Sequence, residues 1–378
     1  MYVNDCLDRN RLSYGKYTRE FEQKFANMHG CKHGIFLNSG TSALQVALAA
    51  LKEIHGYQDG DEVLVPACTF IATSNVVIQN GLCPVFVDVD PHTYNIDCGK
   101  LFDAWTPRTR CIIPVHLFGL PADMKFIKGF ADANGLQILE DSCETVGATQ
   151  NGQVVGSFGD AACFSTYVNH LVTGGVGGLI TTNNDQLAEI SRSLMAHGRD
   201  SIYTNIDMDD SDDLDLRRQM IERRLKFDRL GFSYRATEME AAIALSELER
   251  VDNNIRQRQA NADYLTDFLH RLGLPFQLPY VPVGMTHSYM MYPIVCDDGV
   301  DREPLLMYLE KHGIETRLLF PLLENPIYRK LFPLEAEKHT MAQRLAKQGF
   351  FIGCHQGLDL EDMRDIVVAM QAYFLGYQ

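Results

Sequence analysis

An alternation running from Gly34 to Thr182 restricts the fold of this chain more than any other feature. Short apolar runs of strand length take turns with longer segments of helical period. The strand-like runs are residues 34–37, 62–66, 84–88, 111–115, 137–141 and 178–182, and residues 43–51, 70–79 and 124–134 are helix-like. Strands separated by helices predict a mostly parallel sheet covered on both faces. Ligands in such sheets bind beyond the carboxyl ends of the strands. The turns at residues 38–42 and 66–70 and the end of the run at Asp141 are therefore candidates for one crevice.

The flanks complete the outline. Tyr17, Phe21, Phe25 and Met28 recur at helical spacing over residues 15–29, and Gly30 is a natural stop. A helix is predicted over 184–197 and a long amphipathic one over 237–255, leading into a second domain. The division expected is a large domain, 1–250, and a smaller α+β domain, 251–378. The smaller one has a strand at 288–295, where Pro293 suggests an edge, and helices at 303–312 and 359–374. The acidic run from Asp207 to Asp215 lacks the glycine and closing glutamate of a calcium loop. With Arg217, Arg218, Arg223 and Arg224 behind it, it reads as a solvated loop beside a basic helix.

Two stretches carry chemistry on their own terms. At Asn38-Ser39-Gly40-Thr41-Ser42 a strand hands over to a helix, where free amides and the helix dipole suit a phosphate. A plain N-cap by Ser39 or Thr41 fits equally well. From Cys163 to Gly178 a lone histidine, His170, is followed by the pairs Gly174-Gly175 and Gly177-Gly178, an unusual insertion for an α/β core. Imidazole moves protons near neutral pH, which makes His170 the candidate catalytic centre.

Composition sets the remaining bounds. A net charge of −15 speaks against a nucleic-acid footprint, though a local basic pocket remains open to an anionic small molecule. No apolar stretch reaches membrane-spanning length. The opening Met1-Tyr2-Val3-Asn4-Asp5 has no charged-then-apolar signal, so the expected location is cytoplasmic. The 10 cysteines stand singly, with no Cys-x-x-Cys pair, and are expected to be reduced. His116, His197 and His355 have no metal-ligand spacing, and no metal is expected.

The order of the motifs resembles the DegT/StrS-type sugar aminotransferase family, pyridoxal-phosphate enzymes of the aspartate aminotransferase fold. The marks are residues 38–44 (NSGTSAL), 66–70 (PACTF), 139–143 (LEDSC), 156–160 (GSFGD), 177–178 (GG) and 231–238 (GFSYRATE). The resemblance implies that Gly40, Thr41 and Ser42 hold the cofactor phosphate, with Ser165 adding a hydroxyl. Asp141 would face the pyridinium nitrogen, keeping the ring an electron acceptor, and Phe70 would lie against the ring. Glu144 stands where many relatives have an amide or imidazole, and belongs either to the cofactor site or to a solvated helix end. A residue of the neighbouring subunit of a homodimer reaches the phosphate in this family, usually Asn; Ser233 occupies that position here. Arg235 and Arg317 fall in segments that face a nucleotide-sugar substrate.

His170 is the main departure, because family aminotransferases carry there the lysine that binds the cofactor covalently. No lysine lies between Lys128 and Lys226 to replace it. The change is similar to that in the 3-dehydratases of nucleotide-linked 4-keto-6-deoxyhexoses, where pyridoxamine phosphate acts with a histidine base. One subgroup adds an iron–sulfur cluster; with no cysteine between Cys163 and Cys296, none is expected here. The colitose-pathway type, which regenerates pyridoxamine phosphate from glutamate, is the nearer resemblance, and residues 316–320 (TRLLF) also look like a dehydratase segment. Leu171, Val176 and Ser233 depart from the pattern. They keep open a different reaction on the same frame, amino transfer among them, and a catalytically silent sugar-nucleotide-binding protein.

Overall fold

The computed structural model describes residues 2–200, 212–223 and 225–376. Its main sheet has seven strands in the order β1-β9-β8-β5-β4-β2-β3. These are β1 (His33–Leu37), β2 (Glu62–Pro66), β3 (Cys83–Val87), β4 (Thr109–Ile112), β5 (Gln137–Asp141), β8 (Ala161–Ser165) and β9 (Gly178–Thr182). A two-strand hairpin, β6 (Thr149–Gln150) and β7 (Gln153–Val154), lies between β5 and β8 in sequence. Only β9 runs against the rest, pairing antiparallel with both β1 and β8. The mostly parallel α/β sheet expected from the alternation is therefore the fold.

Burial on both faces explains why the strands read as continuous apolar runs. Ile35 and Leu37 face one cluster while Phe36, between them, faces another with Phe21, Phe25, Phe164 and Leu179. Leu139 and Ile138 separate in the same way, Ile138 joining Met124 and Ile127 beneath the Met124–Asn134 helix.

The expected helix over 237–255 is two helices, Glu238–Leu248 and Val251–Leu272. The first begins at a capping box between Thr237 and Glu240 and packs Ala241, Ala242 and Leu245 against Phe36 and Phe164. The second carries Ala262, Leu265 and Leu269 into a different core. One straight rod cannot serve both, and the chain turns at Glu249 and Arg250.

That core lies on a four-strand antiparallel sheet, β10 (Phe276–Gln277), β11 (Tyr292–Cys296), β13 (Gly349–Ile352) and β12 (Thr316–Leu318), in this spatial order. Pro293 is not on an edge strand, because β11 lies between β10 and β13. Only Val295 and Cys296 pair with β10, so Pro293 sits beyond the reach of that short neighbour. Met291, Val295, Leu319, Leu322 and Leu345 pack into the same cluster as Leu37, Leu139 and Cys163, so the two sheets share apolar core.

A helix, Leu214–Arg223, carries Arg217, Arg218 and Arg223. Asp207 to Ser211 of the acidic run, and Arg224, lie outside the described residues. Among the described residues no helix is long and apolar enough to cross a membrane. The 10 cysteines are free thiols.

Candidate active site

The parallel sheet brings the ends of β1, β5 and β8 to one rim, where antiparallel β9 begins. After β1, Ser39 caps the Gly40–His55 helix by accepting the Ser42 amide at 3.0 Å. The capping reading of this turn therefore holds, and it is compatible with an anion site. Thr41 is exposed at the helix start and makes no side-chain hydrogen bond among the described residues. Glycine at position 40 answers to crowding. A Cβ there would come within 2.8 Å of Cys143 Sγ and 2.9 Å of Ser165 Cβ. The helix start, the end of β8 and the turn after β5 are thus in contact, and a side chain would push them apart. Ser165 is buried, its hydroxyl accepting the Tyr167 amide at 3.3 Å.

Asp141 ends β5 and is buried. Its Oδ2 accepts the Thr73 hydroxyl at 2.8 Å and its Oδ1 the Cys143 amide at 3.1 Å. Burial pushes its carboxyl above the usual range, and those two hydrogen bonds only partly offset the loss of water. No described cation forms an ion pair with it. A buried carboxylate left in that condition is suited to a cationic ligand, and a pyridinium nitrogen meets the need.

His170 lies in the turn that follows β8, with its ring half-buried. Nδ1 is 2.5 Å from the Cys143 carbonyl oxygen. A carbonyl only accepts, so Nδ1 carries the proton and Nε2 keeps its lone pair. Burial pulls the imidazole down to about 4, the Cys143 carbonyl opposing and the Arg258 charge reinforcing the shift. The ring is neutral at physiological pH and Nε2 is a base. Cys143 supports both groups, its amide holding Asp141 and its carbonyl holding His170.

Glu144 is buried, which removes the solvated-helix-end reading. Its Oε2 accepts the Phe118 amide at 2.8 Å, and burial raises it to about 8, so it is protonated at neutral pH. Phe70 is 57% exposed at the rim, its ring edge-on to Phe320 at 6.1 Å.

The remaining candidates stand apart from this group in their bonding. Ser233 and Arg235 are exposed. Arg235 Nη2 lies 3.3 Å from Ser233 Oγ and 3.2 Å from His197 Nε2. The extended segment that carries them meets the end of β1, with the Asn38 amide donating to the Tyr234 carbonyl at 2.8 Å. Arg317, on the edge strand β12, is exposed and ion-paired with Glu315. No hydrogen bond joins it to Asp141 or His170.

Two residues of the region are not evident from sequence. Glu140 is wholly buried, its Oε1 accepting the amides of Phe158 (2.8 Å) and Gly159 (2.7 Å). Its Oε2 accepts the Gly156 amide (2.7 Å) and His116 Nε2–H (3.0 Å). His116 Nδ1 accepts the Ala122 amide at 3.0 Å, which fixes the proton on Nε2. The motif at 156–160 is thus a loop closed on a carboxylate. The signal was the acidic pair itself, since neighbours on a strand face opposite sides. Thr73 is the other, and nothing local distinguishes it from any helix-start threonine.

Residues 1–371 match the model of the DegT/DnrJ/EryC1/StrS aminotransferase family. The GDP-perosamine synthase of Caulobacter vibrioides is 37% identical over 98% of this chain and 93% of its own length. The aminotransferase from Psychrobacter cryohalolentis superposes with a TM-score of 0.89 at 27% identity, covering 100% of this chain and 96% of that one. The E. coli GDP-4-keto-6-deoxy-D-mannose-3-dehydratase with bound hydrated PLP gives 0.85 at 28% identity, covering 98% and 95%.

Proposed function

This chain belongs to the DegT/DnrJ/EryC1/StrS aminotransferase family, whose cofactor is pyridoxal phosphate, and on that premise we propose that it is a nucleotide-sugar 3-dehydratase. The substrate is a nucleotide-linked 4-keto-6-deoxyhexose, and the working form of the cofactor is pyridoxamine phosphate, renewed from glutamate. The observation that carries this is His170, a neutral imidazole anchored through Nδ1 with Nε2 free, at the place where the sequence resemblance puts the family lysine. Imidazole makes no stable covalent link to the cofactor, so the protein must hold it by shape and charge alone.

The residues fit that task. Gly40, Thr41, Ser42 and Ser165 surround a helix start suited to the phosphate. Asp141 supplies the buried negative charge for the ring nitrogen, and Phe70 offers a face to the ring. Glu144, protonated at neutral pH, enters as a donor. Ser233, presented across a homodimer interface, completes the phosphate site, and Arg235 and Arg317 meet the nucleotide. When bound, the cofactor would supply an amine for the sugar's keto group and a ring that takes up electron density as a proton is removed and releases it as the 3-hydroxyl departs. His170 accepts a proton at Nε2 while the Cys143 carbonyl holds its ring in place, and can return that proton to the departing oxygen.

Purified protein with pyridoxamine phosphate, glutamate and GDP-4-keto-6-deoxymannose should yield a 3-deoxy keto sugar by mass spectrometry and NMR. His170→Asn should bind the cofactor yet lose turnover by about 10²–10⁴-fold; an active Asn variant removes the base from the scheme. The likeness to GDP-perosamine synthase favours a second reading, amino transfer on an untethered cofactor. An amino sugar as product would establish that instead.

A further inference from the structure

We propose that Thr73, backed by Thr69, is the positioning residue that holds the Asp141 carboxylate for the ring nitrogen of the cofactor, an inference resting on the cofactor assignment above but not on which reaction follows. Both threonines are buried, at 1% and 2% exposure. Thr73 has one hydroxyl proton, and an ionised carboxylate only accepts. The 2.8 Å bond to Asp141 Oδ2 therefore takes that proton. Thr73 Oγ1 is left as an acceptor, and Thr69 Oγ1, 2.9 Å away, donates to it. The chain of protons runs one way, Thr69 to Thr73 to Asp141.

Helix capping does not explain these hydroxyls. The Ala72–Gln79 helix has Ile71 at its N-cap and no side-chain cap bond. The turn does a second thing, since the Thr73 amide donates to the Phe70 carbonyl at 3.2 Å. One short segment thus locates both the aromatic ring assigned to the cofactor's face and the carboxylate assigned to its nitrogen. On the other side the Cys143 amide holds Oδ1. The carboxylate is gripped from two directions and cannot rotate freely. The same Cys143 carries the carbonyl that orients His170. Thr73 therefore acts on the reaction only through Asp141.

The test is a pH titration by ¹⁵N NMR of the holoprotein loaded with pyridoxamine phosphate labelled at the ring nitrogen. In the unaltered protein the nitrogen should keep its proton well into the alkaline range. Thr73→Val removes one hydrogen bond to an ionised group, and should shift proton occupancy at the nitrogen by about tenfold, one pH unit towards acid. Thr73→Ser should restore the original titration, which a purely structural role for the side chain would not require. Thr69→Val should move the titration the same way by less, and carries the test if Thr73→Val does not fold. A Thr73→Val or Thr69→Val protein that binds the cofactor fully and titrates like the unaltered one overturns the inference while leaving the functional assignment standing. Failure of the unaltered protein to bind pyridoxamine phosphate overturns both.

Discussion

Glu140 and Asp141 are neighbours on β5, both buried, yet their two faces of the sheet treat them in opposite ways. Glu140 receives four donors, two to each oxygen: the amides of Phe158, Gly159 and Gly156 and the His116 ring. Asp141 receives fewer, the Thr73 hydroxyl and the Cys143 amide with the Cys143 thiol beside it, and burial leaves its carboxyl raised. A carboxylate that folding satisfies completely has nothing left to offer a ligand. One that folding leaves short is held ready for charge from outside. Counting donors therefore separates the structural acid from the functional one where burial alone does not.

The largest effect should come from breaking the satisfied side. Glu140→Gln places an amide NH2 against two donors, or forces its oxygen to choose between pairs. His116 cannot change tautomer to help, because its Nδ1 already accepts the Ala122 amide. With two donors orphaned, stability should fall by roughly 2–5 kcal/mol in urea denaturation. A loss within experimental error would mean the four bonds are not the clamp they look like. An intermediate effect sharpens the contrast among the histidines. His116 uses both ring nitrogens, whereas His29 uses Nδ1 alone and its buried Nε2 has no partner. Burial pulls His29 down to about 4 and His287 to about 3. Both are neutral when folded and protonate near 6.5 when unfolded, so the unfolded chain binds more protons below that pH. Stability should be full above pH 6.5 and decline towards pH 4, by about 1.4 kcal/mol per pH unit for each ring. Replacing His29 with Gln should flatten that slope; an unchanged slope would remove His29 from the account.

How much of this was legible in the sequence depended on whether a partner was local. The parallel strands were legible because helices on both faces demand unbroken apolar runs. Asp141 and His170 stood out because their residue types have few uses at a strand end and in a glycine-rich turn. The break at Glu249 and Arg250 carries no glycine or proline, since it is dictated by two separate cores and not by local propensity. Glu140 takes its donors from 16 to 24 residues away in sequence, and Thr73 finds Asp141 across 68, so the partners of neither can be read locally. The Arg317 pairing with Glu315 was within reach, because Glu315 precedes β12 by one residue and lies two from Arg317 in the chain.

The smallest effect tests the unsatisfied side. Burial raises Asp141 above its ordinary 3.8, so its charge is a burden on the folded protein that builds as pH rises from that value to the folded one and is level beyond it. Asp141→Asn removes that charge and keeps a partner for both Cys143 and Thr73. The amide oxygen keeps the Cys143 N–H, the NH2 donates to Thr73, and Thr73 turns its own proton towards Thr69, reversing the chain of hydroxyls. Without cofactor the variant should be as stable as the unaltered protein at pH 7, or more so by about 1 kcal/mol. With pyridoxamine phosphate the order should invert, because a ligand stabilises only in proportion to its preference for the folded state and the amide cannot pair with a pyridinium. If cofactor-free Asp141→Asn is destabilised as much as Glu140→Gln, both acids are structural and the ligand site lies elsewhere.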